Sequence, residues 1–255
     1  MDKIISAKKA MSHIESGMTL GIGGWGSRRK PMCLIRELIK TDKKDFTVVS
    51  YGGPDVGMLC ASGKVRKVIF GFVSLETTPL EPHFRKARQE GSIEVMEVDE
   101  GMLLVGLNAA GSRLPFAVTR SGLSTDILKL NPEIKTINSP YNNEILVAMP
   151  AIPLDVSMVH VHESDEKGNT FIFGPDFYFD EQFARASSKL IVSSEKIITT
   201  DAKGKALRSY VERLVTYAKK GDVHGRRLIQ KRIPGKRGKE IANILIHDIA
   251  PAYTD

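Results

Sequence analysis

The chain has 255 residues, 42% of them hydrophobic, which is enough to bury the core of one large α/β domain or two smaller ones. That content excludes a disordered tail, no apolar run reaches the roughly 18 residues that span a bilayer, and the N-terminus lacks a continuous apolar leader segment, so a cytoplasmic protein is expected. The formal net charge is +7, but residues 202–255 hold 13 Lys+Arg against 5 Asp+Glu while residues 1–201 hold 24 against 25, so the positive excess belongs to the C-terminal part.

In chain order, apolar Ile4, Ala7, Met11 and Ile14 recur at helical spacing and predict a first helix, closed by Gly17. Strand-like residues 18–22 run into GGWGSRRK, and Pro31 fits the first turn of a helix over 31–39, where its missing N–H has no partner to lose. The alternation continues with strand 46–50 into YGGPD, strand 67–73, helix 81–90 stopped at Gly91, strand 93–98, and helix 100–110 stopped at Gly111. Such alternation implies parallel strands covered by helices. Later strands are predicted at 136–137, 145–148, 156–162 and 190–193, with DEKGNT turning the chain before 171–173. Beyond residue 201 the pattern changes. Leu207, Val211, Leu214, Val215 and Ala218 form a helical stripe, Gly221-Asp222 break it, and two further helices follow on either side of PGKRG. The fold class expected is α/β, an open, mainly parallel sheet over 1–201, followed by a basic all-α tail over 202–255.

Several residues have the chemistry for a site, each with a plainer alternative. The segment GIGGWGSRRKP, residues 21–31, follows a strand and precedes a helix, so its amides are able to cradle a phosphate or an oxyanion, or the glycines merely close a tight turn. Arg28, Arg29 and Lys30 either pair with an anion or form a solvated loop. Glu100 follows a buried-looking strand and opens a helix, where a carboxylate acts as general base or nucleophile, or simply complements the helix dipole behind an Asp99 cap. His160 and His162 alternate along a strand, with Glu163 and Asp165 nearby, which is either two ligands of a metal or two hydrogen-bonded rings; no third ligand has a convincing spacing, and no metal is expected. Cys33 and Cys60 read as two reduced core thiols.

Taken in order, MTLGIGGWGSRRKPMCLIREL, VVSYGGPDVGMLCASGKVRKVIFGFVSLE, EVMEVDEGMLLVGLNAAGSRLPF and VSMVHVHESDEKGNTFIFG resemble the alpha subunits of family I coenzyme A transferases over about residues 1–200. GGWGSRRKP with DEGML is most similar to the branch that opens steroid rings by hydrolysis of a CoA-thioester substrate. The resemblance implies a CoA-transferase-type fold and a separate beta subunit completing the active site, as a heterodimer or heterotetramer. It also implies an acyl-CoA substrate, with coenzyme A present as part of that substrate and no covalently bound cofactor. In ordinary transferases of this type the nucleophilic glutamate belongs to the beta chain. In the ring-opening branch the catalytic carboxylate matches Glu100, which activates water against a ring carbonyl of a β-diketone-like substrate, and a retro-Claisen step follows. Gly23, Gly24, Trp25 and Gly26 would then supply backbone donors near the acyl group, and Arg28 or Arg29 would hold a substrate carboxylate.

AKGKALRSYVERLVTYAKKGDVHGRRLIQKRI and KEIANILIHDIAPAY instead resemble the middle of bacterial large-subunit ribosomal protein seventeen. This implies RNA contacts through Arg208, Lys219, Lys220, Arg226 and Arg227, with Arg213, Lys231, Arg232, Lys236 and Arg237 adding to the basic surface. The stretch SEKIITTDAKGKALRSYVERL, residues 194–214, is expected to join pieces of two genes, since each resemblance is partial and no flexible linker separates them.

Overall fold

The computed structural model describes residues 3–174 and 177–198. The chain divides at Ile198 into two units, of which the first carries everything described below. The proposed all-α tail and its RNA-contacting side chains lie outside the described residues.

The elements follow in the order α1 (Ala7–Ala10), a 3₁₀ turn (Met11–His13), β1 (Thr19–Ile22), α2 (Met32–Ile39), β2 (Phe46–Gly52), α3 (Pro54–Ala61), β3 (Val65–Val73), α4 (Pro82–Gln89), β4 (Glu94–Glu97) and α5 (Glu100–Gly111). Then come β5 (Phe116–Thr119), α6 (Ile127–Leu130), β6 (Lys135–Asn138), β7 (Ile145–Pro150), β8 (Leu154–Asp165), β9 (Thr170–Phe171), α7 (Asp180–Ala186) and β10 (Ser187–Ile198). The main sheet has the order β10-β8-β1-β2-β3-β4, with β9 pairing β8. The pairs β8–β1, β1–β2, β2–β3 and β3–β4 are parallel and β8–β9 is antiparallel, which matches the open, mainly parallel α/β sheet expected.

Period-2 geometry divides the core in two. In β2 every residue is buried, and Phe46 and Val48 enter one apolar cluster with Leu34, Ile35, Leu38, Val56, Leu59 and Phe84, under α2, α3 and α4. Val49 and Tyr51 face the other side and join Met102, Leu103, Leu107, Val147 and Phe183. A strand buried on both faces cannot alternate apolar with polar, hence the continuous run FTVVSYG.

Three expectations need correction. Residues 135–150 do not extend the parallel sheet: β5, β7 and β6 form a separate antiparallel sheet. The reason is length, because the residues between β6 and β7 make a hairpin, whereas a parallel crossover needs about a dozen or more. Pro31 is the cap of α2 and not its first residue. Cys33 is no core thiol: Leu34, Ile35 and Leu38 take the inward face of α2 and leave Cys33 exposed. Cys60 is half-buried, and burial, aided by Glu81 and Asp55, pushes its thiol up to about 12.

The carboxyl ends of β1, β2, β3 and β4 lie along one rim, and the order reverses beside β1, which has β2 on one side and β8 on the other. Open α/β sheets bind ligands outside such a switch point. Close approach at this rim depends on Gly53, where a Cβ would stand 2.2 Å from the Gly26 carbonyl oxygen. Gly53→Ala is therefore expected to cost about 1–3 kcal/mol. A thermal melt should fall by several degrees, and an unchanged melt would show that the two loops do not touch in solution.

Candidate active site

The segment after β1 is a tight bend. Gly24 and Gly26 have φ of +75° and +57°, and a Cβ on Gly24 would meet the Arg28 carbonyl oxygen at 2.4 Å. Trp25 and Arg28 close the bend by exchanging two backbone hydrogen bonds, of 3.0 and 2.9 Å. The four amides of residues 23–26, expected to donate near the acyl group, are all used inside the chain. The Gly23 N–H donates to Met158 O (2.9 Å), Gly24 to Asp180 Oδ1 (2.7 Å), Trp25 to Arg28 O and Gly26 to Tyr51 O (3.1 Å). In this arrangement the amides of residues 23–26 frame the rim and do not point outward to a ligand.

The three cations of the bend separate sharply. Arg28 is exposed (side chain 54%) and pairs with Glu76 at 3.1 Å, so the solvated-loop reading holds for it alone. Arg29 is largely buried (11%); its Nη1 donates to Asp180 Oδ2 at 2.7 Å and to the His160 carbonyl at 3.3 Å. Lys30 is fully buried, 3.2 Å from an equally buried Asp55. Its Nζ donates to Ser50 Oγ (2.9 Å), Ser50 donates to Asp55 Oδ2 (2.7 Å), and the Gly53 N–H donates to Asp55 Oδ1 (2.8 Å). Burial lowers the Lys30 ammonium from its ordinary 10.5, opposed by Asp55 and Asp180.

Glu100 is the first residue of α5, immediately beyond β4, and Asp99 caps the helix by accepting the Met102 N–H at 2.7 Å. Tyr51 ties this helix to the bend: its carbonyl accepts from Gly26, and its hydroxyl donates to the Glu100 carbonyl at 2.8 Å. Burial, then the Glu100 and Asp99 carboxylates, push the Tyr51 hydroxyl up, which keeps it a donor. The Glu100 side chain is exposed and makes no hydrogen bond or ion pair among the described residues. The neighbouring carboxylates are all engaged: Asp55 with Lys30, Glu76 with Arg28, Glu81 as the cap of α4, Glu97 with Arg88, Asp180 with Arg29. His160 and His162 are hydrogen-bonded, to Ser193 Oγ at 2.9 Å and from the Phe173 N–H at 3.1 Å. No cluster with three metal-ligating side chains occurs among the described residues.

The sequence model of the family described as coenzyme A transferase matches residues 4–215. The chain belongs to the coenzyme A transferase family. Within it the chain is similar to the cholesterol ring-cleaving hydrolase IpdA subunit of Rhodococcus jostii (strain RHA1), 49% identical over 207 residues, 78% of this chain and 70% of the relative. It is also 30% identical to one subunit of the 3-oxoadipate CoA-transferase of Pseudomonas knackmussii, over 78% and 71% of the two chains. Among solved structures, glutaconate coenzyme A-transferase from Acidaminococcus fermentans superposes with a TM-score of 0.73 at 23% identity, covering 80% of this chain and 70% of that one, a likeness of fold. The protein is thus the alpha subunit of a coenzyme A transferase family enzyme. A second model, described as ribosomal protein L17, matches residues 183–255 and overlaps the first at 183–215.

Sequence reasoning selected the bend and Glu100 but missed Ser50, Tyr51, Asp55, Glu76 and Asp180. Tyr51 and Asp55 flank the glycines of YGGPD and look like turn residues; Asp180 opens a helix with no apolar stripe to announce it.

Removing the Asp55 charge tests the buried pair. Asp55→Asn leaves an ammonium without its counter-charge and is expected to destabilise by about 3–5 kcal/mol. A lysine lowered in the folded state binds its proton less tightly than the unfolded chain does, so the penalty is greatest at low pH and is relieved as pH rises towards 10.5. Denaturant midpoints of Asp55→Asn measured across that window should therefore rise with pH; a flat series would mean that Lys30 is hydrated.

Proposed function

We propose that this chain is the alpha subunit of a hydrolase that opens a ring in a cyclic β-diketone acyl-CoA thioester, with Glu100 as general base. The observation that carries this reading is the exposed Glu100 carboxylate, which has no hydrogen bond or ion pair among the described residues, on a rim where the carboxylates of Asp55, Glu76, Glu81, Glu97 and Asp180 are engaged. The 49% identity to a ring-cleaving hydrolase subunit supports the same chemistry. A beta subunit is proposed to complete the pocket, and coenzyme A enters as part of the substrate with no other cofactor.

In this reading Glu100 takes a proton from a water whose oxygen adds to one ring ketone. The resulting tetrahedral alkoxide collapses, and the bond from that carbon to the carbon between the two ketones breaks. The electron pair leaves as an enolate conjugated with the second ketone, and Glu100 returns its proton to the enolate carbon. One water is consumed, the ring becomes a carboxylic acid and a ketone, and the thioester survives. The engaged bend amides hold the rim rigid, and in this reading Arg28, whose own ion pair lies in water, exchanges Glu76 for a substrate carboxylate; Arg29 is committed to Asp180.

A CoA-transferase reading is favoured by the 30% identity to a 3-oxoadipate CoA-transferase subunit. It places the nucleophilic glutamate on the beta chain and makes Glu100 dispensable. With the beta subunit present, Glu100→Gln is expected to reduce ring opening of a cyclic diketone CoA thioester by about 100-fold or more. Retained turnover, or acyl exchange between CoA and a free acid, decides for the transferase. Arg28→Ala should raise KM about tenfold with kcat little changed if it binds a substrate carboxylate. An unchanged KM would remove that role.

A further inference from the structure

Trp25, the only tryptophan of the chain, is half-buried at the bend. Its ring meets Phe72 edge-on, with centroids 4.9 Å apart at 69°, and lies nearly parallel to Tyr178, at 6.3 Å and 8°. Phe72 comes from β3 and is also half-buried; it follows Gly71, and that glycine is where Glu100 approaches the sheet. A Cβ on Gly71 would stand 3.2 Å from Glu100 Cα and 3.4 Å from its Cγ. The stem of Glu100 therefore rests on the strand one residue away from Phe72.

The backbone around this cluster is held in unusual conformations. Among the described residues Arg29, Glu76 and Tyr178 are three of the non-glycine residues in the left-handed region, with φ of 48°, 66° and 49°. They serve one another: the Arg29 guanidinium lies 4.7 Å over the Tyr178 ring, and Glu76 accepts from Arg28 at 3.1 Å and from Ser27 at 3.3 Å. Strained residues persist where the surrounding contacts over-determine them, and such places concentrate at ligand clamps.

Half-buried aromatic rings beside Glu100, whose carboxylate has no hydrogen bond or ion pair among the described residues, present flat apolar surface and a base on the same rim. A rigid alicyclic ring would cover that surface while turning a carbonyl to Glu100; an acetyl group would leave it wet. We propose that Trp25 and Phe72 are specificity-determining residues, the platform on which the ring of the acyl group lies, with Tyr178 bounding its edge. This rests on the ring-opening reading and goes beyond it by naming the surface that recognises the ring.

The test exploits the single tryptophan. The chain labelled with 5-fluorotryptophan and assembled with unlabelled beta subunit has one fluorine resonance. A CoA thioester bearing a cyclohexane-1,3-dione ring should shift that resonance, and acetyl-CoA, with the same CoA moiety, should not. Equal shifts with both, or no shift while calorimetry records binding of the ring-bearing thioester, would overturn the proposal. Trp25→Leu should lower kcat/KM for the ring-bearing thioester by about 10- to 100-fold, mainly through KM. It should leave the Kd for acetyl-CoA within about twofold; equal losses on both ligands would mark Trp25 as structural and sink the platform. The two readings fail separately: a ring-specific shift without hydrolysis supports the platform and removes the ring-opening chemistry, whereas hydrolysis with an unmoved resonance removes the platform alone.

Discussion

Lys30 and Asp55 are withdrawn from water together, and the rim of the sheet is organised around that fact. A buried ammonium needs a counter-charge and further hydrogen bonds, and here Asp55 and Ser50 provide them. Ser50 ends the apolar part of β2, Lys30 leads from the bend into α2, and Asp55 stands in the first turn of α3. One ion pair thus ties together the two connections, β1 to α2 and β2 to α3, at the carboxyl ends of these strands. Asp180 repeats the device from α7, accepting from the Gly24 amide and pairing with Arg29. With the amides of residues 23–26 bonded inside the chain and two of its three cations paired away from water, the bend is rigid.

The parity of β2 separates framework from chemistry. Ser50 and Tyr51 are consecutive, so they face opposite sides of the sheet. Ser50 meets the buried pair, whereas Tyr51 reaches the first turn of α5 and fixes the Glu100 backbone. Charges on the first side are neutralised within the fold. On the second side Glu100 keeps an exposed carboxylate, its stem resting against Gly71, the residue before Phe72. The division explains how a loop rich in arginine and lysine contributes mainly stiffness, while the acidic residue some seventy positions later keeps its carboxylate in solvent.

Local signals were legible wherever they rested on near neighbours in the chain. The Asp99 cap of α5, the helix stop at Gly91 and the parallel pairing of β1 to β4 all follow from propensity and spacing, whereas Gly111, expected to stop α5, lies inside it and Ser112 is the cap. The antiparallel β5–β7–β6 sheet was not legible, because its strands are short and two of them are largely solvent-facing, so their apolar pattern is weak. Similarly, the exposure of Cys33 depends on which face of α2 turns inward, and only packing decides that.

By itself the sequence determined the α/β class, the membership of the coenzyme A transferase family, the glycine bend after β1 and the position of Glu100 at the head of α5. These are legible in short segments, through residue spacing, glycine placement and helix-capping residues. Tertiary structure alone decided which charges are spent. Asp180 lies 156 residues from Gly24, and Arg29 and Lys30, adjacent in the chain, find their carboxylates on different helices. Pairing over such distances is set by how helices pack on the sheet and by the cost of leaving a buried charge alone, neither of which is written in local residue order.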